Sequence, residues 1–166
     1  MKKDDGKRYN IGCADKILDG YENYDILQID PRVKFIDLNK YPYPIDSNSG
    51  IEILCSHVIE HVDDPFLMEL EFRRILKPNG VLKIHVPTNN CHIGHKRFIH
   101  DRGYLYSLYH AYVSNEFYKN NAYELKFFRC GQRKNIFKFL IQLKNDFVSW
   151  VDRRFYEEYS WELMKK

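Results

Sequence analysis

The sequence predicts an α/β fold built on an open, mostly parallel sheet, and three observations carry the prediction. Short β-like apolar runs alternate with helical text, the pattern of strands joined by crossovers. The first run ends in a glycine, Gly12, where the chain must turn sharply. One amphipathic stretch, Asp63 to Gly80, lies between two such runs and carries clear helix start and stop signals. The chain has 166 residues, enough for one domain with a core of its own, and no Pro/Gly-rich linker divides it.

Each element follows in order. Arg8 to Gly12 reads as a short first strand, and Glu22-Asn23-Tyr24-Asp25-Ile26-Leu27 opens a second. Val33 to Leu38 is a third, followed by a Pro- and Ser-rich loop up to Gly50. Gly50 to Ser56 reads as a buried fourth strand. The helix after it opens with Asp63, Asp64 and Pro65, repeats apolar residues at Phe66, Leu70 and Ile75 or Leu76, and stops at Lys77-Pro78-Asn79-Gly80 with cations in its last turn. Gly80 to Pro87 is a fifth strand. Thr88 to Asp101 is polar, rich in His and without a period, so it is a loop. Gly103 to Phe117 reads as helix, Ala122 to Arg129 as a sixth strand, and Asn135 to Tyr159 as an amphipathic helix with apolar residues at Ile136, Leu140, Leu143, Phe147 and Val151. Ser160 to Lys166 is a short last strand, expected to run antiparallel.

Composition narrows the function classes. Hydrophobic residues make up 44% and charged residues 30%, as in a globular protein in water. The net charge of +3 is too mild to argue for nucleic acid. The basic residues of the tail (among them Arg129, Arg133, Lys134, Lys144 and Arg153) are interleaved with acids and apolar residues, the pattern of a solvated helix face. No run has the length of a membrane span, and the first ten residues do not read as a signal peptide. Cys13, Cys55, Cys91 and Cys130 are scattered and form no C-x-x-C, so they are expected to be reduced thiols in a cytoplasmic protein.

In an open parallel sheet, ligands bind beyond the carboxyl ends of the strands. Those ends are Gly12-Cys13-Ala14, Asp25, Asp37-Leu38, Cys55-Ser56-His57 and Pro87-Thr88-Asn89. Gly12 allows a close backbone approach. An acid after the second strand can hold both hydroxyls of a ribose, because a carboxylate accepts two hydrogen bonds side by side. Asp37 can accept from an exocyclic amine. Together these residues describe a nucleoside pocket.

The order and spacing of these segments resemble the class I S-adenosylmethionine-dependent methyltransferases, in a compact methyltransferase-11-like subgroup. Asn10 to Asp25 resembles that family's first motif, which reads N-x-G-C-G, a short loop, G-Y and N-x-D. Ile36 to Pro87 is similar to its block from strand three to strand five, in which an S-H-V-L-E-H-like string precedes a helix ending R-x-L-K-P-G-G. The resemblance is close over Asn10 to Pro87 and weak in the tail. It implies a Rossmann-like sheet with helices on both faces, S-adenosylmethionine as cofactor, and a single domain over residues 1–166, with a cofactor half at about 8–87 and a substrate side at about 88–166. It places Gly12, Cys13 and Ala14 along the methionine part of the cofactor. Asp25 would hold the ribose, Asp37 and Leu38 would meet the adenine, and Cys55, Ser56 and His57 would lie beneath the sulfonium. The chain departs from the family at Ala14, where a second Gly is usual. The span from Gly12 to Asp25 is also short, so the first crossover helix must be a single turn or absent. Asp30 is the other candidate for the ribose if the second strand runs longer.

His57, Glu60 and His61 also spell H-x-x-E-H, the signature of inverted zinc peptidases. That chemistry needs both histidines on one helical face and a further ligand. Here the string directly follows a β-run, so no metal site is expected from it. Cys91, His92, His95 and His100 match no regular zinc spacing. The expected function is therefore in-line methyl transfer to a small or medium acceptor, sugar- and lipid-like ones included. His57 and His95 are the candidate substrate-side catalytic groups. The alternatives are a non-catalytic methyltransferase-like binding module and, more distantly, a zinc-dependent hydrolase.

Overall fold

In a computed structural model of the chain, the described residues are 6–87, Lys96, 123–130 and 158–165; within the last two segments, side chains are described only for residues 162–165. Seven strands form one sheet: β1 (Lys7–Ile11), β2 (Glu22–Asp25), β3 (Val33–Phe35), β4 (Gly50–Ser56), β5 (Leu76–Pro87), β6 (Tyr123–Cys130) and β7 (Glu158–Lys165). Their order is β3-β2-β1-β4-β5-β7-β6. All pairs from β3 to β5 are parallel, whereas β7 runs antiparallel to both β5 and β6. The expected mostly parallel, Rossmann-like α/β sheet with a reversed last strand is therefore the observed one. The expected helix at 103–117 lies outside the described residues, as does the expected helix at 135–159 up to residue 157; its last two residues, Glu158 and Tyr159, belong to β7.

α1 (Pro65–Ile75) is the one helix among the described residues. Asp64 caps it, its carboxylate accepting from the Phe66 and Leu67 N–H groups at 2.9 and 3.0 Å, and Arg73 and Arg74 face the carbonyl end. The buried stripe is Met68, Phe72 and Ile75, not Phe66 and Leu70, which stay half-buried. The i, i+4, i+7 spacing was present in the sequence, but its phase is decided by what the helix packs on. Met68, Phe72 and Ile75 share one sealed core with Tyr9, Ile11, Ile53, Leu82 and Ile84. α1 also ends earlier than its Lys-Pro-Asn-Gly stop predicts. Leu76 turns extended and pairs with Gly50, so β5 begins four residues before Gly80.

Along β4 and β5 the burial alternates. Ile53, Cys55, Leu82, Ile84 and Val86 are buried, whereas Glu52, Leu54, Ser56, Lys83 and His85 are half-buried. On that second face Glu52 pairs with Lys83 at 3.1 Å and accepts from the Tyr21 hydroxyl, whose pKa is pushed up to about 12 by burial and by that carboxylate. β4 was expected to be buried throughout; among the described residues it has one core face.

Residues 12–21 link β1 to β2 without a helix, as the short first motif requires. Two buried amides take the helix's place. Asn10 Nδ2 donates to the Lys16 carbonyl and to Asn23 Oδ1, both at 2.8 Å. Asn23 accepts from the Leu18 N–H at 3.0 Å and donates to the Leu18 and Tyr21 carbonyls at 3.1 and 3.2 Å. Asn23→Ala strands these backbone groups and is expected to cost about 2–3 kcal/mol. A thermal melt lower by roughly 4–12 °C checks it.

The amino end of the sheet carries its own electrostatic tie. Glu22 sits between Lys7 at 2.8 Å and Lys34 at 2.9 Å and accepts from the Tyr24 hydroxyl at 3.0 Å. Burial alone raises its pKa, but the hydrogen bonds from Lys34, Lys7 and Tyr24 outweigh it and hold the carboxyl at about 2. A depressed carboxyl stabilises the fold above its ordinary value of 4.5 and loses that contribution as pH falls towards 2. Glu22→Gln is expected to flatten the fall in stability between those limits in urea titrations, and to leave the slope unchanged above pH 6, well above Glu22's range.

Candidate functional site

The chain winds outward through β1, β2 and β3, then returns to place β4 on the other side of β1. At such a reversal the loops beyond the strand ends diverge and leave a crevice. Ile11 pairs with Cys55, so Gly12 and Ser56 face each other at its mouth.

Gly12 has φ +72°, and its N–H donates to the Tyr24 carbonyl at 2.8 Å. A methyl group built on it would stand 2.2 Å from Val58 Cγ2. The space left by the missing side chain is thus filled by Val58 of the β4–α1 turn. The glycine serves this turn-on-turn packing first, and the close approach of a ligand was only part of the reason for it. Cys13 follows, 3% exposed, its thiol pushed up by burial and then by the Asp25 charge. Ala14 is exposed and also left-handed, at φ 45°. That explains why a glycine suits this position: an alanine there is held in a region that disfavours it.

Asp25 ends β2 half-buried. Its Oδ2 accepts from the Ala14 N–H and its Oδ1 from the Leu27 N–H, both at 2.9 Å. Each oxygen keeps a second lone pair, so the carboxylate can accept two further bonds side by side. Asp30 is committed elsewhere. Arg32 grips both of its oxygens, at 3.0 and 3.1 Å, and the Arg32 side-chain and backbone bonds hold its carboxyl below the usual range.

β3 stops at Phe35, short of the expected Leu38. The Ile36 N–H still bonds the Asp25 carbonyl at 3.0 Å, after which Asp37 turns the chain, accepting from Asn39 N–H at 3.1 Å. That bond, with Lys40 nearby at 3.4 Å, lowers the Asp37 carboxyl. Leu38 packs against the core, and its carbonyl accepts from the Tyr43 hydroxyl at 2.9 Å.

At the end of β4 the residues part company. Cys55, expected beneath the sulfonium, is 1% exposed in the core, so its backbone rather than its thiol faces the crevice mouth. Ser56 is half-buried. His57 takes φ 56°, unusual for a residue with a side chain, and its N–H donates to the His85 carbonyl at 2.9 Å. Its imidazole is 39% exposed and lies 3.8 Å, Nδ1 to Oε1, from Glu60. Glu60 is 1% exposed, whereas His61 is exposed. The zinc geometry does not form here: residues 57–63 are turns and bends, the helix begins at Pro65, and among the described residues no three His, Cys, Asp or Glu gather as metal ligands. His95, Cys91, His92 and His100 lie outside the described residues. Lys96 is described, and its N–H donates to the Glu60 carbonyl at 2.9 Å while its ammonium pairs with Asp63.

Two features escaped the sequence reading. Ile26 and Leu27, directly after Asp25, are 56% and 62% exposed, an apolar wall beside the carboxylate. The signal was an apolar pair at a strand end with nothing to bury it. The other is the Asn10–Asn23 pair, whose letters belong to the motif but whose joint work shows only in three dimensions.

The described fold is that of the class I S-adenosylmethionine-dependent methyltransferases. A SAM-dependent methyltransferase from Archaeoglobus fulgidus superposes over 98% of this chain and 87% of its own, with a TM-score of 0.62 at 14% identity. A Haloferax volcanii complex of the Trm112 methyltransferase activator with a methyltransferase matches 96% and 82%, with a TM-score of 0.57 at 15% identity. The [4+2]-cyclase SpnF matches 96% and 74%, with a TM-score of 0.59 at 14% identity, so other chemistry also uses this sheet. No family model matches the sequence, and no curated protein matches it significantly. Among the described residues no helix is long and apolar enough to cross a membrane.

Proposed function

We propose that this chain is an S-adenosylmethionine-dependent methyltransferase acting on a small or medium acceptor. One observation carries the reading: a left-handed backbone turn, a carboxylate with free lone pairs and an exposed apolar pair converge at the carboxyl ends of β1 and β2, beside the strand-order reversal. Asp25 would take the ribose hydroxyls, Ile26 and Leu27 would cover one face of the adenine, and Asp37 and Leu38 would border its edge. Gly12, Ala14 and the Cys13 backbone would border the methionine part. Ser56, His57 and the Cys55 backbone would lie towards the transferred methyl. When bound, the cofactor supplies an electrophilic methyl whose leaving thioether needs no proton. Positioning therefore does most of the work. His57 and His95 are the proposed substrate-side groups. The single-domain plan, with the acceptor met by residues 88–166, and a cytoplasmic setting, which the free, buried Cys13 and Cys55 suit, belong to the same reading.

Calorimetry with S-adenosylhomocysteine tests it. Micromolar binding is the expected outcome. No heat at millimolar ligand would sink the enzyme reading in favour of a methyltransferase-like binding module, for which Ala14 and the helix-free first crossover are the motivating features.

A further inference from the structure

β3 stops at Phe35, so the turn from Asp37 to Lys40 lies beyond the hydrogen-bond ladder of the sheet. Within the turn, the Asp37 carboxylate accepts from the Asn39 N–H at 3.1 Å and the Asp37 carbonyl from the Lys40 N–H at 3.0 Å. Local bonds of this kind shape a turn but do not aim it. The next residues, Tyr41-Pro42-Tyr43, are strapped to α1. The Tyr43 ring is 3% exposed, stacked on Tyr41 with centroids 5.2 Å apart and tilted against Phe72 at 6.3 Å. Its backbone is gripped on both sides: the N–H donates to Glu71 Oε2 at 2.7 Å, and the carbonyl accepts from Arg74 at 3.1 Å. Arg74 also forks onto both Glu71 oxygens, at 2.9 and 2.7 Å, and reaches the Ile45 carbonyl at 2.8 Å. Burial alone raises the Glu71 carboxyl, but the bonds from Arg74 and from the Tyr43 N–H outweigh it and hold it down. A two-bond fork between arginine and carboxylate fixes direction as well as distance, so Tyr43 has one place.

From that place the Tyr43 hydroxyl donates to the Leu38 carbonyl at 2.9 Å. Burial, and then the Tyr41 hydroxyl beside it, push its pKa up, so it stays a donor at every working pH. The turn has further ties to the start of α1: Asn39 Oδ1 accepts from the Asp63 N–H at 2.8 Å, and the Tyr41 hydroxyl donates to the Asp64 carbonyl at 3.1 Å. Core packing accounts for the ring of Tyr43 but not for its hydroxyl, since a phenylalanine fills the same space.

We propose that Tyr43 is a positioning residue for the base of the cofactor: through the Leu38 carbonyl its hydroxyl fixes the Asp37–Lys40 turn, and this fixed turn makes the pocket select adenine over an oxo-purine. The proposal rests on the methyltransferase reading, which sets Asp37 and Leu38 at the adenine edge. A carboxylate held in place accepts from an exocyclic amine and repels an oxo group at the same position. A site built around such a bond rejects the analogue that lacks it, provided the acceptor cannot move aside. Tyr43 supplies that condition by ordering the turn before the ligand arrives.

Two measurements test it, and the first needs no ligand. Tyr43→Phe keeps the ring and removes only the hydroxyl. Hydrogen exchange at the Asn39 and Lys40 N–H groups is expected to quicken about tenfold, the scale of one lost hydrogen bond, while α1 exchanges as before. Calorimetry then compares S-adenosylhomocysteine with S-inosylhomocysteine, which carries an oxo group where adenine has its amine. The native protein is expected to prefer the adenine ligand about 30-fold, the scale of one bond to a charged acceptor, and Tyr43→Phe less than about fivefold. Ser47→Ala removes an exposed bond to Arg74 at 3.0 Å and is expected to change neither result. Unchanged exchange in Tyr43→Phe overturns the proposal, as does an undiminished preference or the absence of any preference in the native protein. Failure of Tyr43→Phe to fold, or an equal effect of Ser47→Ala, also overturns it, because either makes the hydroxyl a general staple of the fold. If the native protein binds neither ligand, the methyltransferase reading fails and the selective role with it, and the exchange result alone decides whether Tyr43 orders the turn.

Discussion

Gly12→Ala is expected to destabilise the chain by about 3 kcal/mol and to abolish detectable S-adenosylhomocysteine binding. Two costs add. A left-handed backbone costs a residue with a side chain about 1–2 kcal/mol. The new methyl also meets Val58 at 2.2 Å, where overpacking costs about 1–3 kcal/mol more. Val58 is 7% exposed and part of the core, so it has little room to give. The consequence is felt at the site because the same contact sets the distance between the β1 turn and the β4 turn carrying His57. A melting curve lower by roughly 6–12 °C is the stability readout. The reciprocal change behaves differently. Ala14 is exposed and at φ 45°, so Ala14→Gly relieves strain without removing packing and is expected to leave both stability and binding intact or slightly improved. Equal damage from the two substitutions would refute the assignment of Val58 as the cause.

Asp25→Ala is expected to weaken S-adenosylhomocysteine binding by roughly 100-fold or more, whereas Asp30→Ala changes it by less than about threefold. A hydrogen bond to a charged group contributes about 1.5–3 kcal/mol, and the ribose would make two of them. Asp25 also orders its own surroundings through the Ala14 and Leu27 N–H groups, so part of the loss comes from the loop. Asp25→Asn separates the parts: its single carbonyl oxygen can still hold one of those N–H groups, yet it offers one acceptor where the ribose needs two. Asp30, bound through both oxygens to Arg32, has a turn to hold rather than a ligand. Calorimetry on the three variants checks the order, and the reverse order would move the ribose to Asp30.

Local chemistry made much of this legible in advance. The strands were readable because β-like apolar runs end at Gly, Pro and Asp, and β4 starts and stops where its letters say. The Asp64 cap and Pro65 announced the start of α1. Its end was not legible, because Leu76 leaves the helix to pair with Gly50, a partner that no window around residue 76 contains. The end of β3 failed in the same way: Ile36 keeps one bond to Asp25, and then Asp37 finds Asn39 more easily than another strand.

The site divides along the same line. That Asp25 closes a strand and that Gly12 makes a turn were legible in the letters around them. Glu60 was not. Only the packing of the β4–α1 turn sealed its carboxylate, 3.8 Å from the His57 imidazole. The thiol of Cys55 lies in the core because β4 alternates faces and turns Ile53 and Cys55 inward. Sequence by itself determined the alternation of strands and helix, the short first crossover and the chemical types gathered at the strand ends, all of which depend on neighbours along the chain. Tertiary structure alone decided which face each residue took, which glycine was needed for packing, and which acid was left free to bind, because those depend on partners distant in sequence, brought together by burial and strand register.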